Sequence, residues 1–127
     1  MGKITKFSDL DVWQEAHILV DLVYKLTKEF PKSEVYGLNS QLRRAVVSVT
    51  ANIAEGFSRY HYKDRLRFYY DARGSLSEVQ SELLDSEKVG LITKALLDKI
   101  WPQTERVHLL LGGLIRKTGS LSRISIS

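Results

Sequence analysis

Between Arg59 and Arg73 the chain carries Arg59, Lys63, Arg65, Arg67 and Arg73 against only two acids, Asp64 and Asp71. Tyr60, His61, Tyr62, Phe68, Tyr69 and Tyr70 are interleaved with them. Cationic side chains neutralise phosphates and aromatic rings stack on unpaired bases, so this composition suits single-stranded RNA or an RNA loop. Arg43 and Arg44 would join the same surface if an assembly brings them there. The bland alternative is an arginine-rich helix face that is merely solvated, with Leu66 and Tyr69 turned inward.

Glu105-Arg106-Val107-His108 supplies a Glu-x-x-His pair of the kind that gives two metal ligands inside helical bundles. A di-iron site needs two such pairs and two further inward glutamates, and this chain has a single pair, so no metal is expected. His17 and His61 have no Ser or Asp at a spacing that builds a triad. Gly112-Gly113 lies within a helical apolar run and does not read as a phosphate loop; it marks either close helix packing or a weak helix end. Cysteine is absent, which removes thiolate metal sites, disulfides and thiol nucleophiles. No catalytic constellation and no cofactor are expected.

A third set of residues is polar where apolar side chains belong. Ser48, Asn52 and Glu55 share one helical face, with Gln41 a heptad before Ser48. Asp71, Ser75, Glu78 and Glu82 share another, and Gly74 beside Ser75 leaves room for a second backbone. If the two stripes face each other, Asn52 and the serines satisfy Glu55 and Glu78, and the buried network specifies register and partner choice rather than catalysis.

Four amphipathic segments must position these groups. The first starts at Ser8-Asp9-Leu10-Asp11, with Ser8 as its cap, and runs to about Glu29. Leu10, Trp13, Ala16, Val20, Val23 and Thr27 form one stripe and Val12, Leu19, Leu22 and Leu26 an adjacent one, more than a single bundle core needs. The surplus points to a partner chain or to partly exposed leucines. Phe30-Pro31-Lys32-Ser33 breaks the pattern, and Ser33 or Asn39 caps a second helix with Leu38, Leu42, Ala45, Val46, Val49 and Ile53 inward and Gly56 as its left-handed C-terminal residue. A third runs from about Tyr62 to Lys88 on Leu66, Tyr69, Leu76, Val79 and Leu83, and Gly90 ends it. Thr93 caps the fourth, which carries Leu97, Ile100, Thr104, Val107, Leu111 and Leu114, is kinked or split at Pro102, and stops near Lys117 to Gly119.

The fold class expected is all-α: an antiparallel up-and-down four-helix bundle, one domain over residues 1–119, with a flexible tail over 120–127. Length supports one core, and 43% hydrophobic with 27% charged residues excludes a disordered chain. The longest apolar run, Val107 to Ile115, is about half a membrane span, and no apolar stretch follows the N-terminal lysines, so the expectation is a cytoplasmic protein without a membrane partner. A net charge of +4 permits an anionic partner without requiring one.

Phe7-Ser8-Asp9-Leu10-Asp11-Val12-Trp13-Gln14, Phe30-Pro31, Tyr36-Gly37-Leu38, Gln41 to Ala45, Ser48-Val49-Thr50-Ala51-Asn52-Ile53-Ala54-Glu55-Gly56 and Gly74 to Glu78 together resemble the 23S rRNA-intervening-sequence proteins over residues 7 to 117. The Ser-x-x-x-Asn-x-x-Glu-Gly string is the most specific part. The resemblance implies a bacterial four-helix bundle that assembles as a ring, usually a pentamer, with no enzymatic activity assigned. It also implies similarity in fold to the accessory proteins of diversity-generating retroelements, pentameric barrels that bind nucleic acid and a reverse transcriptase. Pro102 and the serine-rich tail depart from the pattern. The function expected is therefore a non-enzymatic homo-oligomer that binds RNA or an RNA-associated protein, with a pure protein-interaction scaffold as the alternative.

Overall fold

The structure is a computed structural model that describes residues 2–35 and 37–124. Tyr36, quoted above within a family motif, and residues 125–127 of the expected tail lie outside them. A short 3-10 turn, Phe7–Asp9, leads into α1, Asp11–Thr27; a second, Lys32–Glu34, leads into α2, Leu38–Ser58; α3 is Tyr62–Lys88 and α4 is Lys94–Ile124. Each helix packs on its neighbours in sequence and α4 closes the bundle against α1. The antiparallel register is pinned by polar contacts: Asn39 and Arg43 reach the Thr27 end of α1, Ser48 meets Ser75, Gln80 donates to Thr104, and Gln103 and Arg106 meet Glu15.

The core takes the alternating inward positions of all four helices. Val12, Ala16, Leu19 and Val23 from α1 meet Leu42, Val46, Val49 and Ile53 from α2, Tyr69, Ala72, Leu76, Val79 and Leu83 from α3, and Leu97, Ile100, Val107 and Leu111 from α4. On α1 the buried line mixes the two stripes: Val12 and Leu19 from one, Ala16, Val23 and Thr27 from the other. Ile18 is 46% exposed, and Leu22 and Leu26 are half-buried on the edge of the core.

Helix ends depart from the expectation at several points. Ser8 does not cap α1: it lies inside the 3-10 turn, its carbonyl accepts from the Gln14 side chain, and Leu10 is the capping position. Asp9 is the residue used there, its carboxylate accepting from the backbone of Thr5 and Lys6 and from the Thr5 hydroxyl, which lowers its pKa. Neither Ser33 nor Asn39 caps α2. The Glu34 carboxylate accepts from the Leu38 backbone N–H, while the Asn39 amide turns back to the Thr27 carbonyl at the end of α1. At α4 the expected cap is in place, with the Thr93 hydroxyl accepting from the Leu96 N–H.

Gly90 ends α3 with φ +83°, the conformation only glycine adopts freely. Gly56 is a different case. It stays helical, α2 continues to Ser58, and a Cβ on it would lie 2.7 Å from Tyr69 Cε1 and 3.0 Å from Phe68 Cβ. It is glycine because α3 comes that close. Pro102 does not break α4: the helix runs unbroken through it and on to Ile124, five residues beyond the expected end. The missing N–H leaves the Asp98 carbonyl without its helical partner but interrupts nothing further. From Gly119 to Ile124 no proline and no positive-φ residue stops the helix. Among the described residues no helix is long and apolar enough to cross a membrane.

Candidate nucleic-acid interface

The basic stretch forms the elbow between α2 and α3 and the first three turns of α3. Arg59 caps α2, His61 is the capping position of α3, and the three residues between the helices, Arg59 to His61, give Tyr60 no helix to pack against. Tyr60 is 89% exposed, with its ring edge-on to His61 at 5.0 Å.

Most other rings of the stretch already carry a cation. Arg59 and Arg67 both lie over Phe68, at 4.7 and 5.1 Å; Arg65 lies over Phe57 and Tyr62, at 5.1 and 5.6 Å; Arg73 lies over Tyr70 at 5.1 Å. Such pairs hold guanidinium groups flat on apolar surface at little entropic cost. Tyr69 is buried, and burial raises its pKa although Arg65 beside it acts in the opposite sense.

The seven candidate cations divide by what they already bond. Arg43 is structural: its Nε donates to the Thr27 hydroxyl at 2.9 Å, Nη2 reaches the Tyr24 carbonyl, and the group lies 4.4 Å over the Tyr24 ring. It sits at the opposite end of α2 from the elbow, and Arg44, exposed, is next to it. Within one chain neither joins the elbow. Arg59 pairs with Glu55 at 3.3 Å, and Arg65 Nε donates to the Arg59 carbonyl at 2.8 Å, locking the elbow from inside. Lys63, Arg67 and Arg73 remain exposed along α3, beside Tyr70.

The polar stripes meet in part. Ser48 and Ser75 share a hydrogen bond of 2.9 Å across α2 and α3, and the Asn52 amide donates to the Ser48 carbonyl and hydroxyl. The acids expected in this network are elsewhere. Glu55, only about 20° around α2 from Ser48, turns to Arg59 and Ser58 at the end of its helix, and Glu78, about 60° around α3 from Ser75, is exposed. Gly74 also differs from expectation: among the described residues a Cβ there would meet nothing within 4 Å, so no described backbone approaches it. Glu82, two turns along from Ser75, is the acid that is partly buried, with Oε1 shielded and unpartnered among the described residues. Burial raises its pKa, and the charges of Glu78 and Asp85 add to the effect.

Glu105 and His108 are exposed beside an open depression that Gln80, Pro102, Arg106 and Leu109 also line. Among the described residues no three His, Asp or Glu side chains are grouped to hold a metal ion. His17 stacks on Trp13, ring centroids 4.6 Å apart, and Phe7 stands edge-on to the same indole. Gly112 and Gly113 do not admit a neighbouring helix; the side chain that comes near each is Arg116 of α4 itself. Phe57, under Arg65, was not singled out in the sequence because it precedes the basic run.

An all-α single-domain bundle with a basic, aromatic elbow is the class that fold and surface define. The family model for 23S rRNA-intervening sequence proteins matches residues 8–113, and the chain belongs to that family. A crystal structure of a protein of unknown function from the S23 ribosomal protein family of Bacteroides thetaiotaomicron is similar in fold. Its TM-score is 0.73 at 19% identity, covering 82% of this chain and 97% of that one. Among curated proteins none matches the chain.

Proposed function

We propose that this chain is a non-enzymatic, self-associating bundle that binds RNA through the elbow between α2 and α3. The observation that carries the RNA reading is Tyr60: a tyrosine ring 89% exposed at a turn, with His61 against it and Lys63 and Arg67 on the following helical turns. A ring so placed contributes nothing to the core, and it offers a base a stacking face within reach of cations for the flanking phosphates. The family's name, which ties its members to ribosomal RNA genes, agrees with an RNA partner.

Self-association is supported by the unspent apolar stripe of α1. Leu22 and Leu26 line a groove of about 290 Å³ with Leu91, Ile92, Leu96 and Ile100, and Ile18 extends the same face. A ring of subunits, a pentamer by resemblance to the family, would cover such a face and multiply a weak RNA patch. The same groove favours a second reading, a protein-interaction scaffold without nucleic acid.

Size-exclusion chromatography with light scattering, with absorbance followed at nucleic-acid and protein wavelengths at low and high salt, tests both. A mass near five times 14.5 kDa with nucleic acid that salt removes is the expected result. A ring with no affinity for added RNA would leave the scaffold reading, and a monomer would refute self-association.

A further inference from the structure

All fifteen acids lie at or before Glu105, and four of the nineteen Lys and Arg lie beyond it, so the chain through Glu105 is formally neutral. The entire net charge of +4 therefore resides on Arg106, Arg116, Lys117 and Arg123. All four ride on α4. Arg106 is spent on Glu15 at 2.7 Å, whereas Arg116, Lys117 and Arg123 are exposed and enter no ion pair among the described residues.

Two of these cations repeat a local device: Gly112-x-x-x-Arg116 and Gly119-x-x-x-Arg123, one heptad apart. A helical side chain leans toward the N-terminus, over the residue four positions back. A Cβ at Gly112 would lie 3.4 Å from Arg116 Nη1, and one at Gly119 would lie 3.5 Å from Arg123 Nη1. Each guanidinium thus lies along backbone that carries no side chain, at a fixed height on the helix. Glycine is a poor helix residue, and its use here at two positions a heptad apart is otherwise unfavourable.

The topology brings these groups to the elbow. Equal steps in opposite directions from the Gln80–Thr104 bond place Arg116 about level with Phe68 and Arg123 about level with His61. The C-terminal turns of α4 therefore stand at the same end of the bundle as Lys63 and Arg67. The acids at that end are Asp64, Asp11, Glu55, which is paired with Arg59, and Asp9, which is bonded to Thr5 and Lys6. Leu109 and Ile124, the strongly exposed apolar residues on this part of α4, are about four turns apart and do not make the continuous stripe that a lipid surface needs.

We propose that Arg116, Lys117 and Arg123 form a second arm of the RNA surface, one that takes phosphates without reading bases while the strand's unpaired base stacks at Tyr60. The proposal rests on the elbow being an RNA site, and its failure can be told apart from failure of that reading. The test is fluorescence anisotropy with a labelled single-stranded RNA 12-mer over a range of salt, on wild type, Tyr60→Ala and the double variant Arg116→Glu/Arg123→Glu. The double variant should bind at least about tenfold more weakly at low salt. Its log–log salt slope should be shallower by about 1.4, two single-strand phosphate contacts at about 0.7 each. Inorganic polyphosphate should compete with RNA for wild type and much less for the double variant.

Arg116→Gln/Arg123→Gln removes the charge without reversing it and keeps a polar side chain of good helix propensity, and should show the same slope change with a smaller loss of affinity. Circular dichroism confirms that each variant is folded. Wild-type affinity and slope in the double variants, with Tyr60→Ala impaired, would overturn the α4 arm and leave the elbow standing. An unimpaired Tyr60→Ala with weakened α4 variants would overturn the stacking role alone. Wild type that binds no RNA at any salt would overturn both.

Discussion

The same substitution should have opposite effects at Gly56 and at Gly74. In a helix interior alanine is favoured over glycine by about 1 kcal/mol, so Gly→Ala stabilises wherever a methyl group fits. Gly74 lies within α3 without positive φ, and a Cβ there meets nothing within 4 Å. Nearly the full gain of about 0.5–1 kcal/mol is expected. With about 2.1 cal/mol/K of unfolding entropy per residue over 127 residues, 1 kcal/mol moves Tm by roughly 4 °C, so Gly74→Ala should raise Tm by about 2–4 °C. At Gly56 the methyl carbon would lie 2.7 Å from Tyr69 Cε1 and 3.0 Å from Phe68 Cβ, against a comfortable carbon–carbon contact of about 3.5–4.0 Å. Tyr69 is 1% exposed, and its ring has nowhere to swing. Opening the α2–α3 contact by roughly 1 Å belongs to the upper part of the about 1–3 kcal/mol range for overpacking and exceeds the helix gain. The net is about 1–2 kcal/mol of destabilisation, a fall in Tm of about 4–8 °C. Far-UV circular dichroism melts at several protein concentrations measure both and separate folding from association. A stabilised Gly56→Ala would refute the close approach of α3 to Gly56, and a destabilised Gly74→Ala would refute the open space at Gly74.

Arg43→Ala should destabilise by about 1–2 kcal/mol, since it removes the bonds to Thr27 and Tyr24 and the stacking on the Tyr24 ring; RNA affinity should be unchanged, as checked by denaturant melts beside anisotropy. Tyr60→Ala should lower affinity for single-stranded RNA by roughly 5- to 150-fold, from about 1–3 kcal/mol for one stacked base, with Tm unchanged because the ring is exposed. Glu82 has a raised pKa, so the folded state holds its proton more tightly than the unfolded chain. That contribution is full below the ordinary glutamate pKa and is lost as pH rises through the folded value. Glu82→Gln should therefore raise Tm at neutral pH more than at acidic pH, and equal shifts at both would show that the carboxylate is not desolvated. Glu15, whose pKa is lowered by Gln103 and then Arg106, has the opposite sign: Glu15→Gln should cost stability at neutral pH, and the cost should vanish as pH falls below the glutamate range.

How legible each part was depends on whether its cause is local. The bounds of α3, Tyr62 and Lys88, follow from a long apolar period closed by Gly90, and the structure has the same bounds. The inward residues of α2 follow equally, because a period of 3.6 leaves one choice of face. Capping was less legible at Ser8, Ser33 and Asn39, all good capping types by composition. Asn39 was drawn instead to an open carbonyl at the end of α1, a partner twelve residues away in sequence. Gly56 shows the same limit. A glycine near a helix end looks like a stop, and only the position of Tyr69 on another helix reveals it as a contact. Ser48 and Ser75 were legible as a pair because both lie on faces that must be inward, whereas Glu78 lies about 60° round from Ser75 and Glu55, on the Ser48 face but in the last turn of α2, is taken by Arg59 and Ser58.

Charge was the quantity that counting treated least well. Seven cations were nominated by density, and the structure spends Arg43, Arg59 and Arg65 on hydrogen bonds or ion pairs within the chain while leaving Arg44 far from the elbow. Density also passed over Arg116 and Arg123, which are sparse in sequence but have no acid after Glu105 to offset them. What matters for an anionic partner is the charge left unpaired at one place. The rings obey the same accounting: Phe57, Tyr62, Phe68 and Tyr70 each lie under a guanidinium, so they fix cations in position instead of offering free faces to bases. Tyr60, 89% exposed, carries none among the described residues, and its ring neighbour is His61. A strand bound here should accordingly show one dominant stacking contact and several phosphate contacts. That combination predicts strong salt dependence with little base preference, rather than sequence-specific recognition.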